Sequence, residues 1–207
     1  MFKSLFDPNS AFARAMDRVA SLILLNVLWL VCSLPVITAG AATAALYELL
    51  EKLVLNHRED RLTGRFFQAF RSNFRRATAV WLVLLAAAAI CAADLVLANG
   101  QRVWQVPAVL GLQVVALVMT LVFPLLGRYD NTVGNHLRNA ALLSVGHLPR
   151  VLLIWLIWAV PVGAMLFVPG MVYYLSIVWL LIGYASLSYI TVLILCPVLE
   201  KLDGSGE

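Results

Sequence analysis

The sequence predicts an all-α polytopic membrane helical bundle with six spans arranged as three hairpins. Of its 207 residues, 62% are hydrophobic and 13% are charged, whereas soluble domains average roughly 25% charged residues. A helix needs about 20 apolar residues to cross roughly 30 Å of hydrocarbon. Several apolar runs approach or exceed that length, and short polar segments separate them. We therefore predict a single integral membrane domain over residues 1–207.

The apolar runs define the three hairpins. These cover about residues 19–55, 77–126 and 151–199, and cytoplasmic loops of about 56–76 and 127–150 join them. The predicted spans are residues 19–35, 41–55, 77–98, 103–126, 151–169 and 171–199. Span 41–55 is the weakest because it is short and carries Glu48 and Glu51. A re-entrant or interfacial helix is the alternative for that segment.

The basic residues predict the orientation. Fourteen of the fifteen Lys and Arg residues fall on one side of this topology, and only Arg102 lies in an opposite-side loop. Positive residues stay in the cytoplasm because translocating them is unfavourable. We therefore expect a multi-pass protein of the bacterial cytoplasmic membrane with both termini in the cytoplasm. The net charge is +4, and the basic residues responsible for it flank the spans. The predicted partner is therefore the lipid bilayer with its anionic surface, not nucleic acid.

Polar segments that each end in an arginine precede three of the apolar runs. They begin at Ala11, Ala69 and Ala141, and they predict cytoplasmic-side amphipathic lead-in helices and a weak internal repeat. The clearest is residues 65–76, where aromatic side chains recur at helical spacing among arginines, a pattern typical of helices at the membrane surface. The candidate residues for docking a partner or lipid are Phe66, Phe70, Asn73, Phe74, Arg75 and Arg76.

Among the polar residues within the predicted spans, we single out Asn26, Glu48 and Asp94. Ionisable side chains are costly in a bilayer and commonly functional, so these residues form a candidate intramembrane polar site. For Glu48 and Asp94 a proton or substrate site competes with simple local hydrogen bonding or water access. For Asn26 we expect a hydrogen bond to a neighbouring helix.

The first predicted turn contains Pro35, Thr38 and Gly40. Pro35 lacks a backbone donor, and Gly40 has no Cβ to restrict its conformation. The small residues that follow allow close helix approach. We predict a tight structural turn packed backbone to backbone, and the alternative is a broken helix that lines a ligand cavity.

The sequence lacks recognisable catalytic, nucleotide-binding and metal-binding motifs. It has no phosphate-binding loop of the Walker A type, and its three cysteines and three histidines lack metal-ligand spacing. We therefore predict no enzymatic activity, no cofactor, no metal and no catalytic residues, and we expect the histidines to be solvated. Small-residue helix faces make a homo-oligomer a further candidate.

The first hairpin resembles the YesL-like family of bacterial membrane proteins. The residues that carry the resemblance are Asn26-x-x-Trp29-x5-Pro35-x-x-Thr38-x-Gly40, followed by Ala44 and Ala45, with Phe70-x-x-Asn73-Phe74 and Asn139-Ala140 as later motifs. Members of this family commonly occur beside carbohydrate-uptake ABC transporters. The resemblance therefore implies an accessory or regulatory subunit of a carbohydrate ABC import system, with the permease subunits as partners.

Two other functions stay open. The chain could be a small autonomous transporter or channel for a sugar, an ion or a proton-coupled solute, which the span prolines and the repeat would favour. It could also act on lipid-linked sugars, but it lacks the paired acids or nucleophile for that chemistry. A central polar cavity would favour transport, whereas a tightly packed bundle would disfavour it.

Overall fold

The computed structural model describes residues 11–55, 61–98 and 102–204, and these residues form an all-helical bundle. The predicted fold class is confirmed. The helices are α1 (Ala11–Ser33), α2 (Ala39–Val54), α3 (Leu62–Leu97), α4 (Arg102–Arg128), α5 (Val133–Gly146), α6 (Leu148–Phe167), α7 (Met171–Val178) and α8 (Tyr184–Gly204). A 3-10 turn, Val36–Thr38, joins α1 to α2, and a π turn, Trp179–Gly183, joins α7 to α8.

Within the described ranges, five helical segments are long and apolar enough to cross a bilayer. They are Ala15–Ser33, Leu62–Leu97, Gln105–Arg128, Leu148–Phe167 and Met171–Asp203. The chain is therefore a multi-pass membrane protein. The predicted second span is not among the five, because α2 has only 16 residues, about 24 Å of helix.

Helix α2 lies at the centre of the bundle and contacts α1, α3, α4 and α8. Its residues from Gly40 to Leu46 are all buried, and most of them are glycine or alanine. Small side chains allow neighbouring backbones to approach closely, as in other membrane helices. At Gly127 of α4 an added Cβ would lie 2.9 Å from the backbone nitrogen of Glu48. The small-residue run thus makes α2 the core around which the other helices pack.

The predicted lead-in helices differ from the structure in two of three cases. Helix α1 is continuous from Ala11, and α3 is continuous from Leu62 through the apolar run to Leu97. No proline or glycine interrupts α3 after Gly64, so nothing separates a lead-in from its span. The third lead-in includes a separate helix, α5, which ends at Gly146; α6 begins at Leu148, and Pro149 lies in its first turn. Gly146 and Pro149 therefore explain why the third lead-in is separated from its span while α3 is continuous.

Candidate functional site

The side-chain amide of Asn26 joins α1 to the π turn of the third hairpin. Its Nδ2 donates to the carbonyls of Leu180 at 2.8 Å and Trp179 at 3.3 Å, and its Oδ1 accepts from the backbone nitrogen of Ala185 at 2.9 Å. A π turn disturbs the regular helical hydrogen bonds and is frequent at functional sites. Because Asn26 is buried, the amide takes the place of water there. We call this set of bonds the Asn26 clamp.

Two tryptophans fill the space beside the Asn26 clamp. Trp29 stacks on Tyr184 with ring centroids 3.7 Å apart, and Trp158 meets the same ring edge-on at 5.3 Å. The indole nitrogen of Trp29 donates to Thr43 Oγ1 at 3.1 Å, and that of Trp158 donates to Thr191 Oγ1 at 3.1 Å. Both indole N–H groups therefore have hydrogen-bond acceptors inside the bundle. Side chains, rather than an open polar cavity, occupy this part of the centre.

The first turn is held by Thr38 and Trp81. Thr38 Oγ1 donates to the carbonyl of Cys32 at 2.6 Å and to that of Pro35 at 2.8 Å. The indole nitrogen of Trp81, in α3, donates to the carbonyl of Val36 at 2.8 Å. Gly40 follows directly, and a Cβ there would lie 2.4 Å from Trp81 Cβ. Only glycine therefore allows α2 to contact α3 at this level.

Glu48 is paired and does not stand alone in the bundle. Its Oε1 accepts from Lys52 at 3.1 Å, and its Oε2 accepts from Asn73 Nδ2 at 3.2 Å. Asn73 also donates to the carbonyl of Ala69 at 3.2 Å. This geometry fits local hydrogen bonding, which was the alternative to a proton or substrate site at Glu48. Its neighbour Asn73 is buried, so Asn73 faces the protein interior rather than a docking partner.

A second ionic group lies at the same end of the bundle. Arg128 in α4 forms ion pairs with Glu51 of α2 and Asp203 of α8, and Tyr129 donates to Asp203 at 2.5 Å. Burial, together with this hydrogen bond to Asp203, raises the pKa of Tyr129 to about 12. The arrangement fastens three helices together where their charged ends meet. No sequence pattern marks Arg128, because its partners Glu51 and Asp203 are distant in sequence.

The predicted docking residues on α3 divide into an inner and an outer set. Phe66 and Asn73 are both buried within the bundle. The prediction that these two residues dock a partner or lipid is therefore corrected. Phe70 is half-buried and lies between Phe66 and Phe74, with ring centroids 6.5 and 5.5 Å away. Phe74 and Arg75 are exposed, and the half-exposed Arg76 forms an ion pair with Asp130. Burial follows the helical face, and among the predicted docking residues the exposed outer set is available to a partner.

Asp94 lies apart from the other two candidate polar residues. It is exposed near the end of α3, far along the helix from Asn73 and Arg76. Asn26 and Glu48 sit on α1 and α2, and each has its own separate partners. The structure therefore does not bring Asn26, Glu48 and Asp94 together into one site.

His136 is buried, which corrects the expectation of a solvated histidine. Burial and the nearby positive charge of Arg76 lower its pKa, and its Nε2 has no hydrogen-bond partner among the described residues. It borders a cavity of about 360 Å³ that leucines line together with Tyr129, Asn131 and Asn139. His57 lies outside the described residues. Within the described ranges, no group of three or more His, Cys, Asp or Glu side chains could hold a metal ion.

Comparison with known families adds one finding. Residues 22–95, about a third of the chain, match the model of a family described as a protein of unknown function, DUF624. YesL-like proteins are members of that family. The resemblance to the YesL-like family is confirmed. No curated protein and no solved structure matches the chain.

The residues of the YesL-like motif in the first hairpin make defined contacts. Asn26 forms the clamp, and Trp29 stacks on Tyr184. Pro35 and Thr38 build the turn, and Gly40 admits Trp81. These residues share a role in helix packing. The motif therefore marks how the hairpin is held.

Proposed function

We propose that the protein is an accessory or regulatory subunit of a carbohydrate ABC import system in the bacterial cytoplasmic membrane, with its basic helix ends in the cytoplasm. The exposed surface at the start of α3 carries this proposal. From Leu62 to Ala77 the helix extends about 22 Å beyond its apolar run. The sequence has no energy-coupling motif of its own, and the carbohydrate part rests on the YesL-like resemblance.

The chemistry of this surface suits a protein partner. Its exposed side chains include Phe67, Arg71, Phe74 and Arg75, and we call these four the α3 docking surface. Aromatic and arginine side chains are enriched among the residues that dominate protein interfaces. Phe74 is braced by Phe70, so its ring is held in place before a partner arrives. A held side chain loses less conformational entropy on binding.

The alternative, an autonomous transporter or channel, finds less support. Such a protein needs a polar path near the centre of the bundle. Around α2 the positions from Gly40 to Leu46 are buried, and the ring pair of Trp29 and Tyr184 occupies the neighbouring space. Glu48 is engaged by Lys52 and Asn73. These contacts favour a packed scaffold over a conduit.

A pull-down tests the proposal. Tagged protein is extracted from its native host in mild detergent, and its partners are identified by mass spectrometry. Permease or sugar-binding subunits are expected to co-purify. The double variant Phe74→Ala with Arg75→Ala should lose them, because it removes the braced aromatic and its neighbouring charge. A differently tagged copy in the same host also shows whether the protein self-associates.

The control variant changes an exposed aromatic and an exposed arginine elsewhere, Phe167→Ala with Arg138→Ala. It should retain the partners. Equal loss in both double variants would reject the α3 docking surface. Recovery of the wild-type protein without transporter subunits, together with unchanged sugar uptake after gene deletion, would reject the accessory function as a whole.

A further inference from the structure

The turn between α1 and α2 ends far short of the C-terminal end of α3 and of the α6–α7 turn. The indole of Trp81 contacts the carbonyl of Val36 in this turn, and α3 then continues sixteen residues to Leu97, about 24 Å further. The third hairpin also extends well beyond the α1–α2 turn. Tyr184 lies beside Trp29, four residues before the end of α1. From Tyr184 the helix runs back thirteen residues to Met171, about 20 Å.

The depth of the turn is inferred from one polar residue near the end of α3, Asp94. Asp94 is exposed near that end, and it lies about 20 Å beyond Trp81 along the helix. The hydrocarbon layer is about 30 Å thick. If Asp94 marks where that layer ends, the turn lies well inside it. The α1–α2 hairpin would then not reach the level at which α3 ends at Leu97 and at which the α6–α7 turn lies.

The outer surface of the turn is suited to hydrocarbon and not to water. Leu34, Val36 and Ile37 are 76%, 61% and 59% exposed. The sequence has no charged residue or histidine between Arg18 and Glu48. Turns that reach water are normally rich in Gly, Asn, Asp and Ser, whose side chains and backbones suit tight solvated turns. Here the residues most exposed at the tip are branched and aliphatic.

Three carbonyls of the turn, those of Cys32, Pro35 and Val36, have partners within the protein. Thr38 Oγ1 binds the carbonyls of Cys32 and Pro35, and the Thr38 nitrogen also donates to Pro35 at 2.9 Å. The carbonyl of Val36 accepts from Trp81 and from the Ala39 nitrogen. An aqueous turn does not need such partners, because water supplies them. Non-helical backbone in a bilayer does need them, because hydrocarbon offers no donors.

We propose that α1 and α2 form a re-entrant hairpin whose tip, Leu34, Val36 and Ile37, ends inside the hydrocarbon layer and is covered by lipid acyl chains. The two helices then enter and leave on the same side of the membrane. The basic ends of α1 and α2 stay on one side without a full crossing by either helix. Thr38 and Trp81 act as the polar partners that let a non-helical turn exist at that depth.

Site-directed labelling in vesicles of phosphatidylethanolamine and phosphatidylglycerol tests this proposal. Cys32, Cys91 and Cys196 are replaced by alanine, and single cysteines are placed at Val36 or Ile37. Val168→Cys, in the α6–α7 turn, and Phe74→Cys, on the opposite side, are the controls. A membrane-impermeant maleimide should label each control from one side only. The tip cysteines should stay unlabelled from both sides until detergent dissolves the bilayer.

A spin label at Val36→Cys identifies what covers the tip. Collisions with dissolved oxygen should be frequent and collisions with a water-soluble nickel chelate should be rare, because oxygen concentrates among acyl chains. Maleimide labelling of the tip from the same side as Val168→Cys would overturn the re-entrant hairpin. A label that meets neither oxygen nor nickel would show a protein cover, such as a second copy, and would overturn the lipid assignment. Leu34→Cys replaces any tip variant that does not elute as folded protein.

Discussion

Asn26 in α1 donates its side-chain Nδ2 to the carbonyl of Leu180, 2.8 Å away in the π turn of the third hairpin. The two residues are 154 positions apart in the chain, and this bond fastens the first hairpin to the last. The same amide accepts from Ala185, so one small side chain serves both edges of the π turn. Its loss would leave backbone groups on the partner helix without partners in a place that water does not reach.

Replacing Asn26 by leucine is therefore expected to destabilise the bundle. A buried group left without its hydrogen-bond partner costs about 1–3 kcal/mol, and Asn26→Leu leaves the Ala185 donor in that state. The melting temperature in detergent should fall. Ser176→Ala is the control, because that hydroxyl bonds only its own helix and is exposed. A melting temperature for Asn26→Leu equal to that of Ser176→Ala would show that the Asn26 clamp does not contribute.

Gly40→Ala is expected to destabilise the protein although alanine is the better helix former. Alanine gains about 1 kcal/mol over glycine within a helix. At Gly40, however, the new Cβ would lie 2.4 Å from Trp81 Cβ and 2.7 Å from the Ala77 carbonyl. Overpacking of this kind costs about 1–3 kcal/mol or more. Thermal unfolding in detergent measures the balance.

Gly163→Ala in α6 is the matched control for Gly40→Ala. A Cβ at Gly163 meets no atom within 4 Å, so only the helix propensity changes there. The melting temperature of Gly163→Ala should stay level or rise. A rise for both variants would mean that α2 and α3 can move apart without cost.

The two arginine ion pairs should respond differently to substitution because their partners differ in exposure. Glu51, the partner of Arg128, is 12% exposed, whereas Asp130, the partner of Arg76, is 88% exposed. Removing one member of a buried pair costs about 3–5 kcal/mol, and this pair, being partly buried, should lose somewhat less. Exposed pairs contribute about 0–1 kcal/mol. Arg128→Gln should therefore lower the melting temperature clearly, and Arg76→Gln should hardly change it. Similar shifts for both would contradict a structural role for the Arg128 ion pairs.

Buried His136 predicts a loss of stability in mild acid. Its pKa is lowered in the folded protein from an ordinary value of 6.5, so the unfolded chain takes up a proton first as the pH falls. Stability therefore declines once the pH drops below 6.5 and levels off below the folded pKa. The positive Arg76 opposes the protonated form, and Asp130 partly favours it. Melting temperatures measured between roughly pH 7.5 and 5.5 test this expectation. This pH window lies above the ordinary pKa range of carboxylates, so their titration contributes little to the change.

His136→Gln should flatten the pH dependence in that window, because glutamine does not titrate. His147→Gln is the control, since His147 is half-buried and already contacts the Leu143 carbonyl through Nδ1. An unchanged acid response in His136→Gln would assign the response to other groups.

The sequence predicted the helical membrane bundle and most helix positions because these depend on local composition. Long apolar runs require a bilayer wherever they occur in a fold. The small-residue run after Gly40 also predicted close packing of α2. The separate lead-in helices were predicted from amphipathic patterns that continue smoothly into α1 and α3, and pattern alone does not mark a break. The burial of Phe66, Asn73 and His136 was missed because each depends on a helix that is distant in sequence.

By itself the sequence determined the solvent of this protein, a lipid bilayer, and the small-residue motif that makes α2 the core of the bundle. Hydrophobicity and side-chain size act locally, so one chain displays them directly. Only the tertiary structure decided which polar residues meet. Asn26 reaches the π turn, Glu48 reaches Asn73, and Arg128 reaches Glu51 and Asp203. It also decided how far the first turn extends, since the contact of Trp81 with Val36 relates two helices whose spacing no local pattern records.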